Sequence, residues 1–102
     1  MKYELTARNF RPYVRNTLQG FVDIHFDRAG ILLKECTYHV GDGKSWIGLP
    51  GKPQLVEGQV RKDGNGKIMY VPVVELTTGE AREAFRRDAV AAVERIVATA
   101  DA

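Results

Sequence analysis

Apolar and polar residues alternate from Thr17 to Phe26, and this pattern constrains the fold more than any other feature of the chain. On an extended strand it separates an apolar set, Leu18, Val22, Ile24 and Phe26, from a polar set, Gln19, Asp23 and His25. A repeat of two residues is typical of a strand with one buried face and one exposed face. The sequence therefore predicts a sheet that is covered on one face only.

The next segments predict two more strands joined by short turns. Asp27 to Gly30 is a turn, so Ile31 to Val40 is expected to return beside the first strand as a hairpin. Gly41 to Lys44 is a second turn, because its glycines adopt positive φ without steric cost. Ser45 to Leu49 then forms a short third strand, and the three strands make an antiparallel meander.

Two later segments extend this predicted sheet. Lys67 to Leu76 is rich in β-branched and aromatic residues and is predicted to be the fourth main strand. Pro72 removes a hydrogen-bond donor from its middle, which favours an edge position or a bulge. Gln59 to Lys62 is expected to pair with the start of this strand, across a turn at Asp63 to Gly66. Because an exposed valine-rich edge pairs readily with another chain, we expect a dimer that covers it.

One helix is predicted after the sheet. Thr77 and Glu80 have the spacing of a capping box, and Glu83 lies four residues before Arg87, the spacing of a helical ion pair. Six apolar residues form one stripe at helical spacing: Ala81, Phe85, Ala89, Ala92, Val93 and Ile96. The predicted fold class is α+β, a dimer in which each chain is an antiparallel meander of four to five strands followed by one C-terminal amphipathic helix.

Length and composition bound the organisation of the chain. Its 102 residues suffice for one domain, and its basic start, with Lys2, Arg8 and Arg11, suggests a separate arm. We therefore expect a basic N-terminal arm over residues 1–14 and one α+β domain over 15–102. No apolar run approaches the roughly 20 residues of a membrane span, and no signal-peptide core is present. Since Cys36 is the only cysteine, no internal disulfide is possible, and we expect a cytoplasmic location.

Residue types that carry catalysis or bind metals are sparse. His25, His39 and Cys36 lack the paired spacing of zinc ligands. Cys36 and His39 lie three residues apart on a strand, and therefore on opposite faces, so they cannot form a nucleophile and base pair. Three carboxylates stand isolated: Asp23, Glu35 and Glu75. We expect no enzymatic activity, no metal, no cofactor and no small-molecule substrate.

The segment Lys44 to Pro53, K-S-W-I-G-L-P-G-K-P, carries the only tryptophan beside a loop that contains Lys52. Trp46 alternates with Ile47 and Leu49, and we expect those two to face the core and Trp46 the opposite face. A half-exposed tryptophan can stack on a nucleic-acid base. It can equally pack in a dimer interface, where tryptophan is enriched. The sequence leaves both interpretations open.

Basic residues gather in the middle of the chain and on the helix, although the net charge is only +2. Arginines on a helix either form a solvated face or contact phosphates, a mode that needs only positive charge within reach. The candidate nucleic-acid-binding residues are Lys44, Trp46, Lys52, Arg61, Lys62, Lys67, Tyr70, Arg82, Arg86 and Arg87.

The order of these features resembles the SpoVG family of septation regulators, small bacterial proteins known for binding DNA and RNA. The resemblance covers about Gly20 to Val93 and rests on F-V-D-I-H-F, I-L-L-K-E-C-T-Y-H-V, G-K-S-W-I-G-L-P-G-K-P, Y-V-P-V-V-E-L-T-T and R-E-A-F-R-R-D-A-V. It implies a curved antiparallel sheet with a C-terminal helix, a homodimer and no enzymatic activity. The family's basic positions fall on Lys52, Arg82, Arg86 and Arg87. A sheet followed by one helix in a dimer is also similar to the PC4-like single-strand-binding coactivators.

We therefore expect a cytoplasmic, regulatory homodimer of bacterial or phage type that binds DNA or RNA, preferably single-stranded. Basic side chains would contact phosphates, while Trp46 or Tyr70 stacks on bases. The alternative is a protein-interaction module that recruits a partner through an exposed edge strand or the basic arm. The near-neutral total charge favours this alternative.

Overall fold

A four-stranded antiparallel sheet and one helix form the body of the molecule. The structure is a computed structural model that describes residues 1–100. The strands lie in the order of the chain: β1 Leu5–Arg15, β2 Leu18–Phe26, β3 Ile31–Gly41 and β4 Lys44–Gly48. The helix, α1 Gly79–Ala100, contacts β1 and β4. The prediction of an α+β fold, with a meander followed by one C-terminal helix, is confirmed.

The first strand replaces the predicted basic arm. Residues Leu5–Arg15 pair with β2 from the Leu5–Phe26 pair to the Arg15–Leu18 pair, so the prediction of a separate arm over 1–14 is wrong. Leu5 and Ala7 are buried, whereas Arg8 and Arg15 occupy exposed positions of the strand. The charges of Arg8 and Arg15 therefore lie on the solvent-exposed side of β1, which is an edge strand.

Residues 50–73 form a separate ribbon, here called the β-arm. At its base β5 Gly51–Pro53 pairs with β8 Tyr70–Pro72, and further out β6 Leu55–Val56 pairs with β7 Gln59–Val60. Within the described residues, none of these strands pairs with the four-stranded sheet. The predicted fourth strand over Lys67 to Leu76 is thus wrong in its length and its place, since Pro72 cannot donate to a ladder and the strand ends there.

The short pairings of the β-arm also differ from the prediction. Gln59 and Val60 pair with the segment before them, and only Lys62 pairs forward, in a single bridge to Ile68. The turn predicted at 63–66 is present, because the Asp63 carboxylate accepts hydrogen bonds from the backbone N–H groups of Asn65 and Lys67.

The core lies between α1 and one face of the sheet. The whole predicted helical stripe packs there, with Phe85, Ala89 and Val93 buried and Ile96 against the edge of the cluster. The sheet contributes Val22, Ile24, Cys36 and Tyr38, among others. The rings of Phe26 and Phe85 stack with centroids 5.8 Å apart, which joins the two layers.

The start of α1 uses a different cap from the predicted one. Thr78 is the N-cap, since its Oγ1 accepts a hydrogen bond of 3.0 Å from the backbone N–H of Ala81. Glu80 lies 3.6 Å from the amino group of Met1 and forms no capping box. The predicted ion pair of Glu83 with Arg87 is also replaced, because Glu83 binds Arg86 and Arg87 binds Asp88.

Asp23 of β2 is hydrogen-bonded to two β-bulges, one in each neighbouring strand. Two residues of β1 between Arg8 and Arg11 oppose one residue of β2, and two residues of β3 between Leu33 and Cys36 do the same. Asn9 and Glu35 mark the bulges with φ values of 54° and 62°. The Asp23 carboxylate accepts 3.0 Å and 3.1 Å hydrogen bonds from the Asn9 side-chain amide and the Glu35 backbone N–H.

The environment of Asp23 favours its ionised form. Burial by itself raises the pKa of this carboxyl group, but the hydrogen bonds from Asn9 and Glu35 and the charge of Arg11 together hold the pKa below its ordinary value. The Arg11 guanidinium lies 3.5 Å from Asp23, whose side chain is only 6% exposed. The two bulges are therefore tied to a buried negative charge.

We predict that Asp23→Asn lowers the free energy of unfolding by about 1 to 3 kcal/mol at neutral pH, because charge-assisted hydrogen bonds are lost from a buried site. A lowered folded-state pKa contributes stability above the unfolded value of 3.8 and loses it as the pH falls further. The difference between the two proteins should therefore shrink below about pH 3.8. Chemical denaturation at a series of pH values measures both effects.

Glu35→Gln is the matched control for this substitution. It removes a carboxylate that is 68% exposed and pairs with the same Arg11, so its cost should stay within about 1 kcal/mol. Equal losses in the two variants would contradict the special role of Asp23.

Candidate nucleic-acid interface

The sheet face opposite α1, here called the outer face, carries a stacked pair of rings. His39 of β3 and Trp46 of β4 are directly opposite in the ladder. Their ring planes are parallel to within 1°, and the centroids lie 5.2 Å apart. Ile47 and Leu49 pack against the core as predicted, so Trp46 lies on the other face, partly exposed. The pair places two partly exposed aromatic rings near the edge of the sheet.

Two threonines hold His39 in place. Thr17 Oγ1 lies 3.1 Å from Nδ1, and Thr37 Oγ1 lies 2.9 Å from Nε2. Burial lowers the pKa of His39 from its ordinary value, which favours the neutral ring at neutral pH. Because both ring nitrogens are hydrogen-bonded, the orientation of the imidazole beside Trp46 is fixed.

Two glycines make room for these threonines. A Cβ on Gly48 would overlap Thr37 Oγ1, and a Cβ on Gly41 would come within 2.8 Å of Thr17 Cγ2. Larger residues at either position would push the hydroxyl groups away from the ring. The glycines of the third predicted strand and its turn therefore serve the aromatic pair as well as the chain reversal.

The sequence interpretation missed His39, although a usable signal was present. Asp42 and Gly43 have φ values of 53° and 72°, as in the two-residue turn that this dipeptide favours. Such a turn fixes the register of the hairpin, with Gly41 opposite Lys44 and His39 opposite Trp46. Counting outward from the predicted turn would have placed the two rings together.

Four of the candidate residues converge beside β4 and the first half of α1. Lys44, Trp46 and Arg86 line one pocket, and Trp46, Arg82 and Arg86 line a groove of about 620 Å³. The two arginines already have partners, since Arg86 pairs with Glu83 and Arg82 donates a 3.0 Å hydrogen bond to the Leu76 carbonyl. Phosphate contacts by these arginines would compete with those bonds.

Five candidate residues lie on the β-arm. Lys52, Arg61, Lys62 and Lys67 are exposed, and within the described chain none of them forms an ion pair. Tyr70 is 63% exposed at the base of the arm. There it lines a pocket with Phe21 and Thr37 of the outer face, so the arm and the outer face adjoin.

Arg87 is the candidate that the structure separates from the others. Its guanidinium donates a 2.7 Å hydrogen bond to the Met1 carbonyl and binds the Asp88 carboxylate. Asp88 in turn accepts a hydrogen bond from the Tyr3 backbone N–H. This network fastens the chain start to α1, which gives Arg87 a structural role.

Three of the groups considered for catalysis or metal binding are buried or bonded within the fold: Cys36, Asp23 and His25. Burial raises the pKa of the Cys36 thiol to about 12, which keeps it protonated and unreactive. Asp23 holds the two bulges, and His25 Nδ1 lies 2.7 Å from the Asp27 carboxylate in the following turn. Over residues 1–100, no group of three or more His, Cys, Asp and Glu side chains is arranged to hold a metal ion.

Among the described residues, no helix is both long enough and apolar enough to cross a membrane.

Comparisons of the chain with models of known protein families, with curated proteins and with solved structures find no match. The resemblance to the SpoVG family therefore stays a prediction from residue patterns.

We predict that Gly48→Ala lowers the free energy of unfolding by about 1 to 3 kcal/mol, because the new methyl group overlaps Thr37 Oγ1. In a Thr37→Ala background the same substitution should cost less than about 0.5 kcal/mol, since the remaining neighbours, the residue-37 Cβ and His39 Nε2, lie 3.7 Å and 3.8 Å away. Denaturation of the four proteins of this double-mutant cycle gives the coupling. An equal cost in both backgrounds would contradict the conclusion that Gly48 makes room for Thr37.

Proposed function

We propose that this protein binds single-stranded nucleic acid on the outer face of its sheet and along the β-arm, as a non-enzymatic homodimer. The proposal rests on one observation: an aromatic face adjoins an arm whose cations form no ion pair with any residue from 1 to 100. His39 and Trp46 offer ring surface on the sheet, and Tyr70 adjoins it from the arm. Stacking surface beside positive charge is what a single strand requires of a protein.

The distribution of charge supports the β-arm as the phosphate-binding segment. The arm carries four cations against two carboxylates, and one of these, Asp63, is occupied by its own turn. On the body, Arg11, Arg86 and Arg87 are each paired with an acidic side chain. The small net charge therefore conceals a locally basic arm whose cations are available to phosphates.

The aromatic side chains favour single strands over duplexes. A base stacks on a protein ring only when its face is free, and a duplex hides both faces of every internal base. Trp46, Tyr70 and Tyr13 are all at least partly exposed, and Tyr13 lies against Phe21 with a centroid distance of 6.1 Å. Each stacked base contributes about 1 to 3 kcal/mol.

A homodimer explains the apolar side chains that the β-arm exposes. Six large apolar residues of the arm are exposed: Leu55, Val56, Val60, Ile68, Tyr70 and Val73. A second copy would cover part of this surface and give the nucleic acid two arms to bind. Light scattering should give twice the mass of one chain, and the mass of one chain would contradict the dimer. The proposed location is the cytoplasm, where a lone buried thiol such as Cys36 is stable.

A second candidate function is recruitment of a protein partner. The 620 Å³ groove beside β4 is lined mainly by apolar residues, including Leu49, Val74 and Phe85. Over the described residues, β4 pairs only with β3, so its other edge is open for an added strand. Under this alternative, oligonucleotides would not bind even at low salt.

We predict that the double substitution of Arg61 and Lys62 by Ala flattens the salt dependence of single-strand binding. Each lost phosphate contact changes the slope of log affinity against log salt by about 0.7, so two contacts change it by about 1.4. Titration of a labelled oligonucleotide at several salt concentrations measures the slope.

The matched control replaces Lys2 and Arg95 by Ala. This double substitution removes the same amount of positive charge, but Lys2 and Arg95 lie together beside Asp88, on the helix side of the molecule. Their loss should leave the slope close to that of the parent protein. Equal flattening in both variants would mean that net charge, and not the β-arm, determines binding.

A further inference from the structure

A pocket of about 480 Å³ lies between the outer face and the base of the β-arm. Phe21 lines it from the sheet and Tyr70 from the arm, and Thr37 and Glu35 are the residues with polar side chains in its wall. Among the described residues, Tyr70 stacks on no other aromatic ring. The pocket thus combines open ring surface with an acidic residue.

The bulge in β3 is what turns Glu35 toward this pocket. Leu33 and Cys36 are both buried in the core, so the two residues between them lie on the other side. In regular alternation, residue 35 would follow Leu33 into the core. The extra residue of the bulge therefore moves Glu35 to the outer face, in line with the way bulges redirect side chains at functional sites.

Two groups hold Glu35 in position. The backbone N–H of Glu35 donates to Asp23, which fixes the left-handed conformation of the residue. Arg11 donates a 3.0 Å hydrogen bond to Glu35 Oε1. The side chain is 68% exposed, and its carboxylate retains lone pairs that can accept further hydrogen bonds. A residue that lines the pocket thus carries an acceptor that one hydrogen bond already holds in position.

We propose that this pocket binds a guanine base of the single strand, an inference that rests on the proposed function. Guanine is the one common base whose Watson–Crick edge presents two adjacent donors, N1–H and the 2-amino group, which match the two oxygens of a carboxylate. Adenine and cytosine each place an acceptor nitrogen beside a single amino group. Thymine and uracil place a carbonyl oxygen on each side of one N–H. Phe21 and Tyr70 would contact the faces of the guanine ring.

The test compares labelled single strands of thymidines that differ only at the central base: guanine, hypoxanthine, adenine, cytosine or thymine. Hypoxanthine lacks the 2-amino group and so isolates one of the two donors. Fluorescence anisotropy should show the guanine strand bound about tenfold more tightly than the thymine strand, within the range of one bidentate base contact. The hypoxanthine strand should fall between them.

Glu35→Gln should remove the guanine preference while affinity for the thymine strand and the salt slope stay unchanged. Glu57→Gln is the matched control, because Glu57 is an exposed glutamate with a φ of 53° on the β-arm outside the pocket. It should keep the preference. A melting curve for each variant confirms that the protein tested is folded.

Three results would overturn the inference. Equal affinity for all five strands would remove the guanine site while leaving the proposed function intact. A guanine preference that survives in Glu35→Gln would remove the assignment to Glu35. No binding of any strand at low salt would overturn both the inference and the proposed function.

Discussion

The hydrogen bonds of one buried carboxylate, Asp23, set the geometry on which the rest of the sheet depends. Asp23 lies in β2, between β1 and β3, and accepts a hydrogen bond from the bulged residue of each neighbouring strand, Asn9 on one side and Glu35 on the other. A buried charge is stable only when it is paired and fully hydrogen-bonded, and here Arg11 supplies the opposite charge. The carboxylate and the two bulges therefore require each other.

These bulges decide which residues meet the helix. In β1 the bulge at Asn9 places Phe10 on the core side after Leu5 and Ala7, and in β3 the bulge at Glu35 places Cys36 on that side after Leu33. Phe10 then packs edge-on against Tyr38, across Gly20, where a Cβ would come within 2.9 Å of the Phe10 ring. Without the bulges, these apolar side chains would point away from α1. The side chains that do not meet α1 form the outer face, which is polar and aromatic.

The sequence predicted the parts of the fold that follow simple periodicity. The alternation in β2 and the stripe of α1 were predicted correctly, because one face of each packs in the core. β1 was missed because its bulge interrupts the alternation between Ala7 and Phe10, and because its basic residues suggested a solvated segment. The strand over Lys67 to Leu76 was overestimated, since β-branched residues raise strand propensity but Pro72 and a small ribbon partner limit pairing to three residues.

The candidate site was predicted only in part, for a similar reason. The facing of Trp46 followed from local alternation, whereas its partner His39 required the register of a hairpin. Glu35 lines the pocket at the base of the β-arm because of a bulge that depends on a residue twelve positions away in the chain. Contacts of that kind arise from tertiary structure and leave no periodic signal in the sequence.

The proposed binding of single strands by the rings of the outer face is tested most directly by the fluorescence of Trp46, since no other tryptophan is present. The protein would be titrated at low salt with a single-stranded oligonucleotide and, separately, with the blunt duplex of the same sequence. We expect saturable quenching by the single strand and much weaker quenching by the duplex. An unchanged signal with the single strand, or tighter binding of the duplex, would contradict it.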